Sequence, residues 1–146
     1  MNEKLKNFVL ALGKLEPADD DVSLEQTLDG LVQTINDIED ISPAFRHIFE
    51  FFERFPNAEH GSPGPLVHLV ERWPSAYVRE LVSSIERQPT PNTIWMLNRI
   101  LNATIPAAQR ARFMALLDAS IRHPRADARA RDQAAHFLQY QQQRSR

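Results

Sequence analysis

The chain of 146 residues contains no cysteine. That excludes a disulfide framework, a thiolate metal site and a cysteine nucleophile, and it predicts a reducing, cytoplasmic setting. Glycine is scarce: the four glycines, at positions 13, 30, 61 and 64, never approach a phosphate-binding or dinucleotide-binding fingerprint, so nucleotide binding has no support. Gly61-Ser62-Pro63-Gly64 lacks the spacing of a nucleophile elbow and has no strand before it, so it reads as a turn. His47, His60, His68, His123 and His136 never fall into the HExxH or ExxH spacing that presents two ligands on one helical face. No metal and no other cofactor is expected. Long apolar runs are also missing. The opening MNEKLKNFVLALGKLEP is too charged and its apolar run too short for a membrane span, with no small-residue cleavage site after it, so it is expected to fold with the rest.

What is present is helical periodicity, in segment after segment, within a length that suits a single domain over 1–146. Leu5, Phe8, Val9 and Leu12 follow the i, i+3, i+4, i+7 pattern, with Gly13 and Pro17 as the stop. A second helix is expected from Ser23, with Gln26 placed for a capping box, burying Leu24, Leu28, Leu31, Val32 and Ile35. Ser42 and Pro43 open a third, with Phe45, Ile48, Phe49, Phe52 and Phe55 on a wide apolar face. Asn57 to Pro65 is the one strong loop, with two glycines and two prolines. Beyond it, short helices through Leu66–Val70 and Val78–Ile85 are followed by a Thr90-Pro91 start. The helix from there is apolar nearly all round, which predicts that Trp95 is core and that Asn98 is a buried amide bonding a neighbouring loop backbone. A seventh helix starts at Pro106 and an eighth follows His123-Pro124, where His123 can meet a helix C-terminus; the tail from Gln141 is expected to fray.

Starts at Pro43, Ser75 and Pro106 recur at 32 and 31 residues. A lone helical hairpin cannot bury its apolar face, so this spacing predicts an all-α fold of about eight helices: antiparallel pairs stacked as a short HEAT-like superhelical array.

Charge divides the chain. Residues 1–60 carry thirteen acidic and five basic side chains, whereas 61–146 carry six acidic side chains and twelve arginines. Asp19, Asp20 and Asp21 precede the second helix, and Asp37, Glu39 and Asp40 the third, where negative charge favours a helix N-terminus. Glu50 and Glu53 extend the negative charge along the third helix, which capping does not explain. These eight residues are the candidate partner-binding set. Nothing in the pattern gathers carboxylates round a pocket as general acid and base. Arg122, Arg125, Arg129 and Arg131 raise nucleic-acid binding, but no aromatics are interleaved for base stacking and the acidic half would repel phosphates. Trp73, Tyr77 and Trp95 are the aromatic candidates for interface anchors.

The stretch from Pro63 to about Tyr140, and within it RQPTPNTIWMLNRILNATIP, resembles helical immunity proteins of bacterial polymorphic and contact-dependent growth-inhibition toxin systems. Pro89-Thr90-Pro91 followed by Trp95, Leu97, Asn98 and Ile100 carries the resemblance as a fold signature. It implies a non-enzymatic cytosolic inhibitor that binds a cognate toxin C-terminal domain and covers its active site. Many such toxins are basic nucleases, toward which an acidic surface would steer. The alternative from the residues themselves is a helical scaffold or adaptor with another protein partner.

Overall fold

The computed structural model describes residues 1–144. Among the described residues there are eight α-helices, one 3-10 turn over Ser42–Ala44 and no strand, so the all-α class read from periodicity is the one observed. The helices are α1 (Glu3–Lys14), α2 (Leu24–Gln33), α3 (Phe45–Arg54), α4 (Pro65–Val70), α5 (Pro74–Arg87), α6 (Pro91–Asn102), α7 (Ala107–Ser120) and α8 (Ala128–Arg144). The chain forms two compact units, residues 1–80 and those from 81 onward, with the boundary inside α5.

In the first unit the apolar stripes meet one another. Leu5, Phe8 and Leu12 of α1, Leu24, Leu28 and Val32 of α2, the phenylalanines of α3 and Leu66, Val67, Leu69 and Val70 of α4 are all buried. Phe51, outside the expected stripe, joins Phe45, Phe49 and Phe52 inside, while Phe55 is only half-buried. Side-chain bonds fix the helix directions. Lys4 near the start of α1 reaches Asp37, beyond the end of α2, at 2.8 Å, so these two helices are antiparallel. At the end of α3, the Arg54 guanidinium donates to the carbonyls of Gly13 and Leu12, so α3 runs parallel to α1. Arg72, just after α4, donates to Asn36 Oδ1 just after α2 at 3.1 Å, making that pair parallel as well. Helix α1 packs on α3 and α2 on α4, first on first and second on second, the contact pattern that stacked helix pairs need.

In the second unit α8 packs along α6 and α7. The start of α6 is built as its sequence predicts: Pro91 occupies the first turn, and Thr90 and Thr93 exchange hydrogen bonds, each backbone N–H donating to the other's hydroxyl. Arg110 at the start of α7 donates to the Leu101 carbonyl at the end of α6, as in a hairpin. Gln133 donates to the Pro91 carbonyl at 2.6 Å and Gln141 to Asn98 Oδ1 at 2.7 Å, so α8 lies parallel to α6 over its whole length.

Several local expectations are corrected. Ser23 makes no capping bond to α2; its hydroxyl and N–H both donate to Asp21 Oδ1, at 2.6 and 2.9 Å, so the hydroxyl is committed as a donor to the preceding turn. Pro43 lies in a 3-10 turn that precedes α3, closed by the Ala44 N–H on the Ile41 carbonyl at 2.8 Å. Trp95 is not core. Thr93, Ile94, Met96, Leu97, Asn98 and Leu101 fill the buried faces of α6, leaving Trp95 and Arg99 one turn apart on the open side, the guanidinium 4.9 Å from the indole. Asn98 is buried, but its partner is the Gln141 side chain rather than a loop backbone. The tail does not fray at Gln141, which is fully buried and bonded to both Asn98 and Asn102; of the expected frayed segment only 145–146 lies outside the described residues. His123 does meet a helix C-terminus, but that of α5: Nε2 donates to the Glu86 carbonyl at 2.7 Å while Nδ1 accepts the Arg125 N–H.

Candidate protein-binding surface

Three of the eight acidic residues singled out in the sequence hold local structure. Asp21 accepts from Ser23, whose hydroxyl and then backbone N–H hold its carboxyl below the ordinary value of 3.8. Asp40 is lowered likewise by hydrogen bonding from Ser42, through its side chain and its backbone N–H. Asp37 is lowered by the Lys4 ammonium, first as a hydrogen-bond donor and further by its charge. One residue in the first cluster and two in the second thus do local work: Asp21 and Asp40 brace the turns before α2 and α3, and Asp37 ties the turn after α2 to the start of α1.

The remaining five divide further. Glu50 accepts from Arg46 Nε at 2.8 Å one turn back, so its charge is offset on the spot. Glu53 is half-buried and has a partner of its own. Asp19, Asp20 and Glu39 are exposed, and their carboxylates have no side-chain partner among the described residues. The Glu39 backbone is fixed even so, since its carbonyl accepts the Trp73 indole N–H at 3.1 Å and that ring packs edge-on against Phe45. Trp73 is thus a strut within the unit, and Tyr77 is buried.

These residues do not form one face around α3. Asp19 to Asp21 precede α2 and Asp37 to Asp40 follow it, separated by its ten residues, roughly 15 Å at the rise of an α-helix. What lies between them is the exposed side of α2, where Glu25 and Asp29 stand one turn apart. Sequence reasoning missed this pair, although the signal was there: they stand four residues apart and flank the buried stripe of Leu24, Leu28 and Val32 on the Val32 side of an amphipathic helix. Glu25 and Asp29 line one wall of an open cleft of about 240 Å³, whose other wall carries His68 and Arg72 of the α4 segment.

The second unit is opposite in sign, and much of its arginine is used inside the fold. Arg110 and Arg144 donate to the Leu101 carbonyl, Arg131 to the His123 carbonyl, Arg125 to Gln88, and Arg122 pairs with Asp118 at 3.0 Å. Arg129 also has a partner. No group of three or more His, Asp or Glu side chains among the described residues is arranged to hold a metal ion, and none of their helices is long and apolar enough to cross a membrane.

No protein-family model matches the chain, and no curated protein or solved structure is significantly similar to it.

Proposed function

We propose that this chain is a non-enzymatic immunity protein that binds and neutralises a bacterial toxin domain through the acidic surface of its first unit. The observation that carries the reading is the agreement between charge and architecture. Residues 1–80 hold fifteen acidic and seven basic side chains, whereas 81–146 hold four acidic side chains and ten arginines. The negative charge includes exposed carboxylates spread along α2 and its two flanking turns, from Asp19 and Asp20 through Glu25 and Asp29 to Glu39. A basic toxin domain would be drawn to such a surface over the length of a Debye screening distance, and the same charge would discourage nucleic acid. The resemblance of the α5–α6 connection and α6 to helical immunity proteins supplies the class of partner, and a cytoplasmic inhibitor would meet it there.

The test is growth protection. The domain encoded in the neighbouring reading frame is expressed with and without this chain in cells that it arrests. The reading expects rescue by the wild type, loss of rescue when Glu25, Asp29 and Glu39 are reversed to lysine, and retained rescue when Arg112 is reversed to glutamate. No rescue by the wild type would end it.

One observation favours the second reading, a scaffold for another protein. Trp95 and Arg99 present a stacked aromatic and cation on the open side of α6, the residue types that anchor protein interfaces. If Trp95→Ala abolishes partner binding while the acidic reversals leave it intact, the scaffold reading takes precedence.

A further inference from the structure

His60 is the buried histidine of the chain, 3% exposed, set in the loop between α3 and α4. Its Nε2 donates to the Phe55 carbonyl at 2.7 Å, and its ring meets Phe51 and Phe52 edge-on with centroids 5.4 and 5.2 Å away. The donation fixes the neutral ring with its proton on Nε2. Nδ1 is then a bare acceptor, buried and without a hydrogen-bond partner among the described residues. A second proton would place an unsatisfied N–H and a full positive charge there, against the Phe51 and Phe52 rings.

The loop depends on that ring. The Phe55 carbonyl accepts both from His60 Nε2 and from the Ala58 N–H, and the His60 N–H donates to the Ala58 carbonyl at 3.0 Å. Beyond His60 the backbone doubles back tightly: Gly61 and Gly64 have φ of 117° and 102°, and a side chain at Gly64 would collide with the His60 carbonyl. The His60 ring seats the middle of this surface loop against α3, so losing the ring contact frees a loop segment rather than a core helix.

The loop's Ser62 and Gly64 share an open cleft with Asp29 of α2 and with His68 and Arg72 of the α4 segment. Glu59 adjoins His60 and favours a proton on the ring. Arg54 on α3 lies over the Phe51 and Phe55 rings at 5.6 and 5.2 Å, and Glu53 precedes it on the same helix. On α2, Glu25 Oε1 sits 3.0 Å from where a side chain on Gly61 would begin. Burial outweighs the Phe55 hydrogen bond and the Glu59 charge, and holds the imidazole below its ordinary 6.5.

We propose that His60 is a proton-operated latch, which closes the Asn57–Gly64 loop on α3 when neutral and releases it, uncovering Phe51 and Phe52, when protonated. The closed loop is fully favoured above the ordinary histidine range and loses its advantage as pH falls below 6.5 and through the lowered value. This device is independent of the immunity reading and stands or falls by itself.

The test is an NMR pH titration of the full chain, following the His60 ring and the backbone amides of Gly61 and Gly64 from about pH 8 to about pH 4.5, the span over which histidine changes charge. The expected result is a His60 midpoint below 6.5, with both glycine amides moving at the same midpoint and the α6 amides still. His60→Gln keeps a side-chain N–H for the Phe55 carbonyl but cannot titrate, and should abolish the loop transition. A His60 midpoint at or above 6.5, or loop amides that stay in place while His60 titrates, would overturn the proposal. The same loop transition in His60→Gln would overturn it too, and should that variant fail to fold, the wild-type titration decides alone.

Discussion

Gln141, fully buried near the end of α8, donates its side-chain amide to Asn98 Oδ1 on α6 at 2.7 Å and to Asn102 Oδ1 at 2.8 Å. Its own carbonyl oxygen accepts from Arg110 and Arg144, whose guanidinium groups also reach the Leu101 carbonyl at the end of α6. One glutamine therefore joins the last turns of two parallel helices and the first turn of a third.

Replacing it by alanine removes the amide and strands the buried Asn98 oxygen. Gln141→Ala should lower the unfolding free energy by about 1–3 kcal/mol, the usual cost of an unsatisfied buried polar group. Urea unfolding measures this directly. A change under about 0.5 kcal/mol, the level of an ordinary surface substitution, would mean that the clasp contributes nothing.

The two aromatic sites separate by burial. Phe49→Ala, at 0% exposure in the first unit, should cost about 3–5 kcal/mol, as large-to-small core changes do. Trp95→Ala loses one face of packing and the Arg99 stack, and should cost about 1 kcal/mol, within the range of a partly solvated cation-π contact. Equal losses at the two sites would show that Trp95 is covered more fully than its place on α6 allows.

Thr90 closes the start of α6 from inside the second unit, with no exposure. Thr90→Ala should destabilise by about 1–2 kcal/mol, the upper part of the range for caps. Thr90→Ser retains the hydroxyl and should recover most of it. Comparable losses for both substitutions would assign the effect to the methyl group's packing instead.

Acid should act in two stages on the first unit. His60, neutral and lowered by burial, contributes stability that is complete above 6.5 and declines as pH falls below it. Asp21, Asp37 and Asp40, lowered by hydrogen bonds and by Lys4, contribute stability that is present above 3.8 and is lost below it as each carboxylate takes a proton. Thermal melts across the acid range should show both stages in the wild type and only the lower one in His60→Gln. For the same reason Asp40→Lys should lower the melt while Asp20→Lys leaves it in place.

Much of this architecture was legible in the chain, because helix starts are written in local chemistry. Thr90-Pro91 acts within a few residues and the structure follows it, and so it does for Phe45, Ile48, Phe49 and Phe52 of α3. What escaped was decided between helices. A glutamine near the chain's end reads as solvent-facing until Asn98 and Asn102 of another helix supply its acceptors. Trp95 reads as core until it is known which sides of α6 the neighbouring helices cover. The candidate surface was legible only in part for a different reason: Asp21, Asp37 and Asp40 stand out because acidic residues cluster where turns and helix ends need them, and their carboxylates are engaged there. Glu25 and Asp29 were passed over because two carboxylates one turn apart on an amphipathic helix look like ordinary solvation.

A partner met through the acidic surface of the first unit should be captured at a rate set by charge, so the association rate is the quantity to measure. Binding of the wild-type chain to the domain encoded by the neighbouring reading frame should be followed by stopped flow over a range of ionic strength. The expected rate falls steeply as salt rises, and becomes slower and less salt-dependent once Glu25, Asp29 and Glu39 are reversed to lysine, with the thermal melt of that variant unchanged. A rate indifferent both to salt and to the acidic reversals, or one abolished only by changes to Trp95 and Arg99, would contradict capture through that surface.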